Sequence, residues 1–214
     1  MTPRSNSATD TLSDSTPGHY ERSEQGEPFL ESNEFESASR TIYLAIMAIL
    51  TALTTVATAM ISVPFPTSTG YLNFGDILVM TSGIILGPVG AFFVGGVGSA
   101  TGDAVLGYMP FVPITLVVKG SEAMTVSLIS RYRDGGDSIR VLDIVALAAG
   151  ALVMLTGYLL GEIFIIGITW MAALLELIFL NLIQVTVGAI VAAIVGPIVR
   201  SYIRQEVGRL EISW

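Results

Sequence analysis

Asp76, Asp103, Lys119, Glu122, Glu162, Glu176, Asn181 and Gln184 stand inside sequence that is otherwise almost wholly apolar. Each is costly to hold away from water, so each must be paired, used as a cap, or set against a wet cavity. Lys119 is the only lysine of the chain. Counted from a helix start near residue 110, it lies roughly 13 Å deep. An unpaired ammonium there costs several kcal/mol. Glu122 follows three residues later on the same face. The two therefore form either a structural ion pair or a ligand-binding cation held in place by its neighbour. Asn181 and Gln184 share a face by the same spacing, and each amide can both donate and accept. Either amide alone could simply bond to a neighbouring helix. Tyr158 and Glu162 lie one turn apart. Tyr158 and Trp170 can stack on a planar ring or belong to an aromatic belt. Asp76, in Asn73-Phe74-Gly75-Asp76, reads as a helix cap rather than a ligand contact. Asp103, in Gly-Asp-Ala, reads as a pair or a cap.

These groups suit binding better than bond-breaking. The chain has no cysteine, which removes disulfides, thiolate nucleophiles and Cys-based metal sites. The one histidine, His19, lies in a polar stretch far from the apolar region. No GxxxxGK[ST] loop is present to hold ATP. No Ser/His or HExxH arrangement is present, so a membrane-embedded enzyme is disfavoured and no cofactor or metal is expected.

The elements that must position these residues follow from composition. The 214 residues are 52% hydrophobic and 13% charged, with a mean hydropathy of +0.70. A soluble domain carries about a quarter charged residues. The apolar residues come in long runs, so lipid is the solvent for most of the chain. A spanning helix needs about 20 such residues. Candidates run over 40–62, 76–87, 89–107 and 111–131. The stretch 141–199 is too long for one span and divides near Gly167-Ile168-Thr169-Trp170. Pro and Gly at 64–75, at Gly87-Pro88 and at Tyr108-Met109-Pro110 separate the earlier ones. The 76–87 segment is short and crosses only part of a bilayer. The expected fold is all-α: an integral membrane bundle of six transmembrane helices over 39–204, followed by a short cytoplasmic C-terminus at 205–214.

Residues 1–38 hold eight acids against Arg4 and Arg22, out of a net charge of −8 for the chain. This segment is rich in Ser, Thr, Glu and Gly and is expected to be a disordered, acidic cytoplasmic tail. It lacks the basic start and apolar core of a signal peptide. The remaining arginines cluster at Arg40, at Arg131, Arg133 and Arg140, and at Arg200, Arg204 and Arg209. Cytoplasmic loops retain Lys and Arg. Six helices with both termini cytoplasmic put all these groups on one side, whereas five or seven would strand one of them. The expected location is the plasma membrane.

Small residues recur at helical spacing: Ala48-xxx-Ala52, Gly83-xxx-Gly87, Gly98-xxx-Gly102 and Gly157-xxx-Gly161. Such pairs let backbones approach closely in lipid. Packing within the bundle is the default reading, and docking of a partner on one such face is the alternative.

Three segments carry a family resemblance: YLNFGDILVMTSGIILGPVGAFFVGGVGSATGDAVLGY, PITLVVKGSEAM and NLIQVTVGAIVA. Together they resemble the substrate-binding S components of energy-coupling factor (ECF) vitamin transporters, over about 40–200 and not over the tail. The resemblance implies a six-helix protein that captures a water-soluble vitamin or its precursor from outside and delivers it by toppling in the membrane. It implies a transmembrane coupling subunit and two cytoplasmic ATPase subunits as partners, and no nucleic acid. It assigns Ala48 and Ala52 to the coupling contact. It places the ligand among helices four to six and the first outer loop, which makes Asn73, Lys119, Glu122, Tyr158, Glu162, Asn181 and Gln184 the substrate-binding candidates. The similar family members serve riboflavin, hydroxymethylpyrimidine and pyridoxine-type compounds, so the ligand stays open. A self-sufficient proton-coupled carrier using Glu162 or Glu176 is the alternative, and an assembly subunit that binds no small molecule is another. The two halves show no evident repeat of the kind many secondary carriers have.

Overall fold

The structure, a computed structural model, describes residues 27–64, 70–130 and 138–208. Residues 1–26, 65–69, 131–137 (with Arg131 and Arg133) and 209–214 lie outside these ranges. Six helical rods make up the described chain. The first, α1, is Glu27–Met60 and begins within the stretch that composition assigns to the acidic tail. A two-stranded antiparallel hairpin follows, β1 at Ser62–Pro64 and β2 at Tyr71–Asn73. Then come α2 at Gly75–Ile85, α3 at Pro88–Leu106 and α4 at Val112–Ser130. Helix α5, Val141–Gly161, is prolonged by a π turn at Glu162–Ile166. The last rod joins α6, Trp170–Glu176, through a second π turn, Leu177–Asn181, to α7, Leu182–Gly208.

The local signals explain the breaks. Pro88 stands in the first turn of α3, where its missing N–H costs nothing. Gly167 ends the fifth rod at φ +81°, a left-handed conformation that favours glycine. Thr169 then caps α6 by accepting from the Ala172 N–H at 3.4 Å. Pro197, by contrast, does not end α7, which runs through it to Gly208; packed neighbours make an interior proline tolerable in a membrane helix. Five of the rods contain helices long and apolar enough to cross a membrane, and α2, with 11 residues, is shorter.

Helix α4 sits in the middle, packed on α2, α3 and α5, with α1 against α3 and α7 against α2. Close approach depends on absent side chains. A Cβ on Gly96 would lie 2.5 Å from the Leu116 carbonyl oxygen, and one on Gly102 would lie 2.6 Å from Thr58 Cγ2. The Gly98/Gly102 and Gly157/Gly161 pairs thus serve packing inside the bundle, against α1 and α4 respectively. Ala48 and Ala52 do not: both are exposed, on a face with Leu44, Ile49 and Val56.

The two ends of the bundle differ in chemistry. At the end opposite the hairpin, Asp143 is wholly buried. The two terminal guanidinium nitrogens of Arg200 reach its two oxygens at 3.1 Å, and Arg140 binds it from the side at 2.9 and 3.1 Å. Arg140 also donates to the Ser130 carbonyl at 3.0 Å, so one knot ties the end of α4, the start of α5 and α7. Asp143 is a buried carboxylate additional to those singled out in the sequence. Arg140 and Arg200, from two of the arginine groups, therefore meet at one end, as the charge pattern requires.

Candidate functional site

At the hairpin end the bundle encloses a hollow of about 370 Å³, its open mouth included. The hairpin contributes Gly70, Tyr71 and Asn73, α3 contributes Asp103, and α4 contributes Thr115 with Phe111 just before it. Tyr158 and Glu162 come from the fifth rod, and Glu176, Leu180, Asn181 and Gln184 from the sixth.

Side chains of the wall fasten the hairpin over this space. Tyr71 donates its hydroxyl to Asp103, and its ring lies 4.6 Å from that of Tyr108. Burial, and then the Asp103 carboxylate, push the Tyr71 phenol well above the usual tyrosine range, so it remains a donor. The Gly70 N–H donates to Glu176 Oε1 at 3.2 Å, and the Asn73 N–H to Gln184 Oε1 at 3.0 Å. Asn73 in turn accepts from the Gly75 N–H at 2.9 Å, which turns the chain from β2 into α2.

Beneath the wall lies a chain of buried polar groups. Gln184 Nε2 donates to Asp76 Oδ2 at 3.1 Å. Asp76 Oδ1 receives Lys119 Nζ, which also reaches Glu122 Oε2 at 3.2 Å. Lys119 stands 5.5 Å from the centre of the Tyr158 ring, and the Tyr158 hydroxyl bonds Thr115 at 2.9 Å. Lys119, Asp76 and Glu122 are all within 1% of complete burial.

The two π turns aim the wall. In an α-helix, residues five apart point about 140° away from each other. A π turn closes its hydrogen bond over five residues and brings such positions back to one side. Glu176 and Asn181 flank the second π turn this way and both face the hollow. In the first, the Gly167 N–H reaches the Glu162 carbonyl at 3.0 Å. π turns occur often at functional sites.

Of the residues singled out in the sequence, Asn73, Tyr158, Glu162, Asn181 and Gln184 line this one hollow. Lys119 and Glu122 are not in its wall; Lys119 meets it through Asp76 and Gln184 and through its approach to the Tyr158 ring. Asp76 is a correction: it does not cap α2, since its oxygens are taken by Lys119 and Gln184, and the turn is closed by Asn73 instead. Trp170 is 59% exposed and outside the wall, which leaves it on the bundle surface rather than against a ligand. Thr115, Phe111 and Leu180 belong to the wall although nothing local in the sequence marks them. Asp103 was visible as a polar residue, but its bond to Tyr71 joins positions 32 apart and no spacing rule reaches it. Two wall atoms stay without a hydrogen-bond partner, Glu162 Oε2 and Asn181 Nδ2. Among the described residues no three His, Cys, Asp or Glu side chains converge to hold a metal ion.

Comparison with known proteins adds a family. The family model described as "ECF-type riboflavin transporter, S component" matches residues 39–202. An uncharacterized protein from Pyrococcus woesei is 40% identical over 104 residues, covering 49% of this chain and 67% of that one. The thiamine precursor transporter HmpT of Lactococcus lactis subsp. cremoris (strain MG1363) is 28% identical over 160 residues, covering 73% of this chain and 86% of the relative.

Proposed function

The chain belongs to the S components of ECF-type riboflavin transporters, and from that premise we propose that it captures a water-soluble vitamin or vitamin precursor in the hollow beneath the β1–β2 hairpin. It is a multi-pass membrane transport component concerned with vitamin uptake, not an enzyme. Asn73, Tyr158, Glu162, Asn181 and Gln184 contact the ligand. Lys119 and Glu122 support them through Asp76 and Gln184. The hairpin end faces outward at the plasma membrane, all six rods lie in the bilayer, and both termini are cytoplasmic. A transmembrane coupling subunit and two cytoplasmic ATPases supply the work, with Ala48 and Ala52 on the docking face.

One observation carries the capture reading. Glu162 and Asn181 are buried side by side in the wall of the half-open hollow, and Glu162 Oε2 and Asn181 Nδ2 complete no hydrogen bond of ordinary geometry there. Buried polar atoms are seldom left unsatisfied unless something else completes them. The test is reconstitution of the purified chain in liposomes, alone and with the coupling subunit and ATPases. Binding by the chain alone, with accumulation only when the partners and ATP are present, is the expected result. Accumulation by the chain alone would favour the proton-coupled carrier, for which Glu162 and Glu176 share the wall.

A further inference from the structure

We propose that Glu162 and Glu176 form a proton-binding site that latches the β1–β2 hairpin: one proton held between the two carboxyls keeps the hairpin down on the hollow, and its loss lets the hairpin lift. The use of this latch in capture rests on the reading above; the site itself does not.

The pair comes from two rods. Glu162 opens the π turn that ends the fifth, and Glu176 closes α6 just before the second π turn. Both are within 2% of complete burial, and their carboxyl groups lie within hydrogen-bonding reach of each other. An ionised carboxylate can only accept. Two of them in this position would set acceptor against acceptor, and like charge against like charge at low dielectric. One proton shared between them makes one group a donor and leaves a single negative charge, as in other carboxyl dyads.

No neighbouring cation offers another way out. Among the described residues no lysine or arginine lines the hollow. Asp103 on α3 adds a further acid, and the Tyr71 hydroxyl of the hairpin already bonds it. Tyr158, one turn before Glu162, is bonded to Thr115 on α4. Lys119 on α4 is held by Asp76 of α2 and by Glu122. Asn181 approaches Glu162, but its amide is neutral.

The hairpin meets the pair directly. The Gly70 N–H donates to Glu176 Oε1 at 3.2 Å, and a Cβ on Gly70 would collide with Glu176 Oε2. The hairpin backbone therefore lies flat against this carboxyl. Ionisation of the second acid drives Glu176 away from Glu162 and breaks the Gly70 bond. The other two ties of the hairpin, Tyr71 to Asp103 and Asn73 to Gln184, use neither member of the pair, so the latch acts at the Gly70 end.

The experiment uses the full chain in a detergent free of carbonyl groups, with a spin label on Val63→Cys. Val63 is 57% exposed and pairs with Leu72 in the hairpin, and the absence of cysteine makes the label unique. Infrared spectra against pH, in H2O and D2O, read the protonated carboxyl band, and the spin-label spectrum reads hairpin mobility. The expected result is a band at neutral pH that is lost as pH rises, with a mobile label component growing in over the same interval. Glu162→Gln should remove that band at neutral pH and keep the label immobile throughout, because its amide N–H is a permanent donor to Glu176. A neutral-pH band unchanged by Glu162→Gln belongs to other acids and overturns the site. Loss of the band with the label still immobile, or a label that loosens with pH in Glu162→Gln as before, overturns the latch. If Glu162→Gln fails to fold, the coincidence of the two titrations in the labelled chain decides alone. The capture reading is unaffected by each of these results, since its own test is ligand binding.

Discussion

Gln184 uses both ends of its amide, accepting from the Asn73 N–H and donating to Asp76. Asn181, three residues earlier, keeps its Nδ2 unpartnered. The two amides therefore respond differently to removal. Gln184→Leu orphans a backbone donor and a buried carboxylate oxygen, each worth about 1–3 kcal/mol. It should lower both ligand affinity and the unfolding midpoint. Asn181→Leu should weaken binding and leave the midpoint nearly unchanged; calorimetric titration and thermal unfolding separate the two effects, and unchanged affinity counts against a ligand role for Asn181. Lys119 offers a third case. Lys119→Met strands Asp76 and Glu122 without their cation and should cost about 3–5 kcal/mol. The triple change Lys119→Met, Asp76→Asn, Glu122→Gln should recover much of that in the same unfolding assay. The Lys119–Glu122 contact was legible from a spacing of three. Its Asp76 partner was not, because Asp76 lies 43 residues away and its sequence context matches a helix cap. The cap rule describes local competition for backbone N–H groups, and here a buried ammonium outcompetes them.

At the scale of elements, helix existence and breaks were legible: the expected segments 76–87, 89–107 and 111–131 appear as Gly75–Ile85, Pro88–Leu106 and Val112–Ser130. Hydrophobic length and Gly/Pro punctuation are strong signals in lipid. The π turns were not legible, because period counting assumes 3.6 residues per turn throughout. That assumption puts Glu176 and Asn181 on different faces, and the wall could not be assembled from it. The β1–β2 hairpin also escaped, being only three residues per strand. The exposed face of α1 yields a prediction at this scale. Ala48→Trp with Ala52→Trp adds bulk only outside the bundle, so ligand affinity should stay within about threefold while uptake with the coupling subunit and ATPases falls to background. Normal uptake by that double variant removes the docking assignment. Bulk on the internal face behaves oppositely: Gly102→Leu meets Thr58 and should destabilise the bundle by about 1–3 kcal/mol in the unfolding assay.

For the molecule as a whole, sidedness is the property to measure. The absence of cysteine makes single-cysteine labelling clean. Val63→Cys, at an exposed hairpin position, should react with a membrane-impermeant maleimide on intact cells. Ser138→Cys, at the arginine end, should react only after permeabilisation; the reverse pattern inverts the orientation. The arginine distribution is the sequence signal behind this expectation, and Arg140 and Arg200 converge on Asp143 at the end opposite the hairpin. Helix α2 has a further consequence. Its 11 residues span only about 16 Å, against roughly 30 Å of hydrocarbon. An 11-residue helix alone cannot reach both faces of such a layer, so the hairpin joined to its start and the Gly87-Pro88 turn beyond its end set how deep it lies.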